Sequence, residues 1–217
     1  MKTKTAFITM LAIAGLQGCV VKSIHPFYHE KDVIYKSEIT GRWMDTDSSV
    51  WIIKQHQKTT GLFKPDKPDN SYDITFTTDK GTASFSAHLF ELNKQLYLDF
   101  YPLEIACGND MANFHVIGVH SIAKVSFPKG KIAISWYNEE WLSDLFEKNK
   151  IRIAHESVPY SDDTSGDEQM QYLLTASTDE LQKFVMKYGS DPEAFKNESK
   201  KMGLEGYSFI LSRNNYK

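Results

Sequence analysis

From Ile39 to Tyr137 apolar and polar residues alternate with a period of two, which places successive side chains on opposite faces of extended strands. Strands are predicted at Ile39 to Met44 and at Val50 to Gln57. In the next, Tyr72, Ile74 and Phe76 alternate with Asp73, Thr75 and Thr77. Ala83, Phe85, Ala87 and Leu89 then share a face, as do Leu96, Leu98 and Phe100, with Tyr97, Asp99 and Tyr101 on the opposite one. A long strand, Phe114 to Phe127 with a bend at Gly118, is followed by Ile132, Ile134 and Trp136 on a return strand. The breaks carry turn chemistry: Asp45 to Ser49, Asp79-Lys80-Gly81, Asn93-Lys94 and Pro128-Lys129-Gly130. Gly61 to Asn70, with Pro65 and Pro68, is expected to be a loop, as are residues 102–113.

Beyond Tyr137 the period lengthens. Asn138 is placed to cap a helix that opens with Glu139-Glu140 and carries Trp141, Leu142, Leu145 and Phe146 as its apolar stripe. Strands are expected at Ile151 to Glu156 and Gln169 to Ala176, around an acidic loop from Ser161 to Glu168. Ser177 to Glu180 has capping-box spacing before Leu181, Phe184, Val185 and Tyr188, with Gly189 at the end. Asp191-Pro192 opens another short helix to about Lys200, and Gly206 to Ser212 is a last strand. The fold class that follows is mainly β (α+β): an antiparallel meander closing into a small barrel or curved sheet, with two or three helices in the C-terminal half. Closure is favoured because it removes exposed strand edges.

The first residues follow another pattern. Lys2 and Lys4 precede the uncharged, mostly apolar run Thr5 to Leu16, which is too short for a bilayer span of about 20 residues. It ends at Leu16-Gln17-Gly18-Cys19, which resembles the lipobox of bacterial lipoproteins, Gln17 departing from the small residue usual there. The resemblance implies cleavage between Gly18 and Cys19, a diacylglycerol on the Cys19 sulfur and acylation of the new amino group. The partner it implies is a membrane, reached through the N-terminal lipid. Val20 and Val21 follow where inner-membrane lipoproteins tend to carry aspartate, so the expected location is the periplasmic face of the outer membrane. Residues 1–18 are then a signal peptide, 19–37 the lipidated cysteine and a tether that packs along the domain, and 38–217 a single domain.

Cleavage there moves the net charge from −3 to about −5, a poor match for nucleic acid. With Cys19 used for lipid, Cys107 has no partner in the chain, so no disulfide is expected.

Candidate chemistry is sparse. Gly41-Arg42-Trp43 on the first barrel strand resembles the G-x-W signature of lipocalins. In that family the tryptophan plugs the barrel base and an arginine from a late strand packs across it, which implies Arg213 here and a cavity for a small apolar ligand. Tyr97, Asp99 and Tyr101 line one strand face as a candidate pocket wall, and a solvated outer face is the alternative for them. No cofactor or metal is expected. His115 and His120, five apart, face opposite sides of a regular strand, and His88 and His155 have no sequence partner. Asp45-x-Asp47-x-Ser49 lacks the glycine and glutamate of a calcium loop and reads as a hairpin turn. Asp162, Asp163, Asp167 and Glu168 read as a solvated loop. No nucleophile elbow or phosphate-binding loop is present. Three readings follow: a small-ligand or partner-binding module, a structural or assembly factor docking to an envelope protein through its helical side, and a hydrolase.

Overall fold

The computed structural model describes residues 20–58, 67–104, 111, 114–161, 168–195 and 208–214. Eight strands form a closed antiparallel barrel: β2 (Gly41–Met44), β3 (Val50–Lys58), β4 (Lys67–Thr78), β5 (Gly81–Leu92), β6 (Gln95–Pro102), β7 (His120–Ser126), β8 (Ile132–Trp136) and β11 (Ser208–Arg213). Each pairs with the next, β6 with β7 included, and β11 returns to β2 through Arg213 opposite Trp43. The architecture is the lipocalin-like barrel of the expectation. Between β8 and β11 the chain leaves to build α1 (Glu139–Glu147), β9 (His155–Ser161), β10 (Glu168–Leu174) and α2 (Thr178–Tyr188). The short β1 (Lys22–Ser23) joins this excursion to the barrel, antiparallel to β7 and parallel to β10.

Two cores result. The barrel interior holds Trp43, Trp51, Ile53, Tyr72, Ile74, Leu89, Leu98, Phe100, Val125, Ile134 and Leu211, with Phe76, Phe85, Trp136 and Phe209 partly covered at one end. Those aromatics tile each other: Trp51 meets Phe76 at 4.4 Å between ring centroids and Phe209 at 5.2 Å, and Phe100 meets Trp136 at 4.9 Å. The second core lies outside the barrel wall. Val21 and Phe27 of the N-terminal segment, Leu142 of α1 and Leu181, Phe184 and Val185 of α2 cover Phe90, Tyr97 and Ile122.

Local chemistry sets most of these elements. The Asn138 side chain accepts from the Glu140 amide at 2.8 Å. Glu180 accepts from the Ser177 amide and hydroxyl at 3.0 and 2.8 Å, opening α2. Asp45 Oδ1 accepts from the Asp47 and Ser49 amides, and Oδ2 from the Trp51 indole, so this carboxylate is committed to the β2–β3 turn.

Several expected bounds change. Residues 67–70 are strand, not loop: Pro68 pairs with β3 across a register shift at Gln55/Gln57, and β4 pairs with β5 only from Ser71, so no ladder bond is required on that side. The strand expected from Phe114 begins at His120, because Gly118 lies against the Tyr101 ring and the chain before it has left β6. The strand expected at Ile151 begins only at His155, as β9, the one expected at Gln169 is β10, and the helix expected after Asp191 starts as a 3₁₀ turn, Pro192–Phe195, the rest of it to Lys200 lying outside the described residues. Cys19, Gly18, Cys107 and the acidic residues 162, 163 and 167 lie outside the described residues.

Gly189 closes α2 where a β-carbon would collide with the Tyr97 hydroxyl and come within 2.7 Å of the Val185 carbonyl. Gly189→Ala is therefore expected to destabilise the domain by about 1–3 kcal/mol through overpacking. Urea unfolding checks this, and an unchanged midpoint would contradict the packing described.

Candidate functional site

Asp99 is the buried charge around which the outer layer is arranged. It lies mid-strand on β6 with no solvent exposure. A carboxylate so placed costs several kcal/mol unless charge and hydrogen bonds compensate it. Its Oδ2 accepts from the Phe27 amide at 2.9 Å, and its Oδ1 lies 2.7 Å from His120 Nδ1 on β7. His88 stands opposite on β5 in register, and Tyr28 stacks on His88 at 4.3 Å. Burial holds the His88 imidazole below its usual range, against the pull of the Asp99 charge. Burial likewise raises the Tyr28 phenol. Tyr101 packs on the other flank, its ring 4.8 Å from His120.

This cluster ties residues 26–32 down as a strap between barrel and α2. Thr178 donates to the Pro26 carbonyl at 2.9 Å, Gln182 to Asp32 at 2.9 Å, and His29 meets Asp179 at 2.9 Å. The expectation of a solvated face for Tyr97 and Asp99 is thus corrected. Both are buried, because the strap and α2 lie over them, while Tyr101 remains exposed. Nor do they line a pocket with Trp43, which sits inside the barrel on the other side of the wall.

The Trp43 indole donates to the Ile39 carbonyl at 2.8 Å. The Arg213 guanidinium lies over its ring, 4.6 Å from the centroid, and donates to the Glu38 carbonyl. This is the packing that the G-x-W resemblance implies. Gly41 suits this position because its φ is +137°, and a β-carbon there would stand 3.0 Å from the Arg213 guanidinium.

The Asp99–His120 pair has the form of a catalytic dyad, and the two serines nearest it among the described residues are engaged elsewhere. Ser23, opposite His120 in register, donates to the Leu174 carbonyl, and Ser121 accepts from the Trp136 indole. Among the described residues, no group of three or more His, Cys, Asp or Glu side chains converges as a metal site. His155 is held by the Ile153 carbonyl and by the rings of Phe146 and Tyr172.

A second buried acid escaped the sequence reading, in which it only opens the first turn of a helix. Glu139 accepts from the Tyr172 amide through Oε1, while Oε2 receives no hydrogen bond and stands 4.0 Å from the Lys22 ammonium. Burial raises its carboxyl to about 7, with the Tyr172 bond opposing, and burial lowers Lys22. The only signal was that an apolar helix face begins immediately beside it.

Two open concavities flank the helices. One lies between α1 and the 192–195 turn, lined by Asn138, Glu140, Trp141, Asp144, Asp191 and Glu193, and the other between residues 150–153 and α2. Comparison of the chain with protein-family models, with curated proteins and with solved structures gives no match.

Two outcomes follow. Asp99→Asn leaves the shape but removes the charge that His120 faces, and is expected to cost about 3–5 kcal/mol and to speed hydrogen exchange at the Phe27 amide. Unchanged exchange there would show that the strap does not depend on Asp99. Because the folded carboxyl of Glu139 sits near 7 and the unfolded one near 4.5, the unfolded state sheds its proton first. This group's contribution to stability therefore falls as pH rises from 4.5 to 7 and stays low above. Glu139→Gln is expected to flatten that slope and raise the unfolding midpoint at pH 8 by about 2–4 °C, read by thermal melts across pH.

Proposed function

We propose that this protein is an envelope lipoprotein, attached by lipid on Cys19 at the periplasmic face of the outer membrane. It acts as a docking module for another envelope component and not as a carrier of a ligand inside the barrel. The observation that supports this over the small-ligand reading is the filling of the barrel by Trp51, Phe100 and their neighbours, while the open concavities lie on the helical layer. A carrier needs an apolar cavity of several hundred Å³. The anchor rests on the Leu16-Gln17-Gly18-Cys19 motif and on the apolar run before it. Two or three acyl chains, at about 0.8 kcal/mol per buried CH₂, hold a domain durably.

Fractionation tests the anchor. Cys19→Ala is expected to lose membrane retention at high salt, and a variant that still pellets with membranes sinks the reading. Native mass spectrometry of the full chain purified from its own host tests the docking half. An empty chain is expected, and a co-purifying small molecule lost on denaturation would restore the carrier.

A further inference from the structure

We propose that the helical layer docks on a second copy of this chain, the acidic concavity of each copy meeting the basic concavity of the other about a two-fold axis. This rests on the docking reading and names its partner.

The two concavities carry opposite charge. The one beside α1 gathers Glu140, Asp144, Asp191 and Glu193 against Lys148 and Lys150, and Lys148 pairs with Asp144. An acidic excess is left. The other gathers Lys150, Arg152, Lys183 and Lys187 against Glu180. Glu180 already accepts from the Ser177 amide and hydroxyl at the start of α2. Among the described residues none of these four cations forms an ion pair. Lys183 and Lys187 stand one turn apart on α2, and Lys150 and Arg152 reach the same hollow from the stretch between α1 and β9. The fold, and no single run of sequence, assembles this patch. The chain as a whole carries −3, so the basic hollow is a local reversal of sign.

The hollows are neighbours. Lys150 lines both, and the Trp141 ring of the first stands edge-on to the Tyr188 ring of the second, 5.3 Å between centroids. Apolar side chains at this boundary are half-buried: Trp141 and Leu145 on one side, Ile151, Ile153 and Tyr188 on the other. Aromatic groups at the centre with charge around them are the anatomy of a protein interface.

A surface that is acidic on one side of a boundary and basic on the other complements itself when turned half a revolution about that boundary. This is the isologous arrangement of a two-fold dimer. Other partners satisfy only half of it. A polyanion or an anionic membrane suits the basic hollow and is repelled by the acidic one beside it, and a polycation meets the reverse. A second copy suits both. Copies held through lipid on Cys19 also share one surface, and such confinement raises the effective concentration of a contact whose exposed ion pairs are individually weak.

The test uses the full lipidated chain, half of it isotope-labelled, in phosphatidylcholine vesicles, whose headgroups carry no net charge. A carbodiimide condenses an ammonium and a carboxylate in contact into an amide with loss of water. Expected are amides between light and heavy chains from Lys183 or Lys187 to Glu140 or Glu193, reduced about tenfold or more at 1 M salt, where the screening length is about 3 Å. Glu140→Lys with Glu193→Lys makes both hollows basic, and Lys183→Glu with Lys187→Glu makes both acidic. All four side chains are exposed, so both variants are expected to melt as the wild type does. Mixed together, they are expected to regain the crosslinks, every amide joining one variant to the other. Wild-type vesicles without light–heavy amides at these positions overturn the dimer. So do amides that persist undiminished at 1 M salt, or a mixture of folded variants that gives none. If either variant melts early, the wild-type map and its salt dependence decide. In native envelopes, crosslinks from these hollows to a different protein, with none between copies, overturn the inference and leave the docking reading standing.

Discussion

A carboxylate with no exposure to water has to be answered by donors, and Asp99 draws them from two directions. One oxygen holds the imidazole of the neighbouring strand, the other the backbone of a segment seventy-two positions earlier in the chain. The first keeps the pair within the barrel wall. The second makes the wall a docking surface, since the Phe27 ring follows its amide into the outer core. The strap, α2 and the barrel thus share one polar contact inside an apolar layer, where a low dielectric strengthens a satisfied bond and penalises a broken one.

The barrel wall is in effect a sheet buried on both faces along β5, β6 and β7. Inside, Leu89, Leu98 and Ala123 meet the aromatic filling, and outside, Phe90, Tyr97 and Ile122 meet the helices. An eight-stranded barrel has an interior that side chains can fill, and here Trp51, Phe100, Trp136 and Phe209 fill it. The apolar surface that this chain spends inside the barrel is surface that no ligand displaces without repacking.

The barrel was readable because period-two alternation records one buried face directly, and β2 to β8 each carry it. The capping residues Asn138 and Ser177 announced both helices. The Arg213–Trp43 packing was accessible through the G-x-W triplet. The second core was not. Tyr97 and Asp99 alternate with Leu96, Leu98 and Phe100 as any solvated face does, and nothing nearby signals that residues 21–28 and 178–188 will cover them. Local pattern records which face is polar; it does not record what arrives from far along the chain. Pro68 and Gly118 misled for a related reason. A proline is tolerated where only one edge is paired, and a strand ends where its partner departs, whatever its own residues prefer.

The excursion between β8 and β11 also dictates an order of events. The last staves of the barrel, at residues 132–136 and 208–213, are separated by the whole helical layer. Until the end of the chain has emerged, β2 and β8 stand with bare edges, the state most prone to pairing with the wrong strand. The N-terminal Lys22 and Ser23 also wait, for Leu173 and Leu174. Both termini are stitched in last, over some of the longest loops the chain contains, and long-range pairing is slow. Pairing of the barrel's first and last staves therefore waits on the layer between them, and until then the barrel is an open sheet.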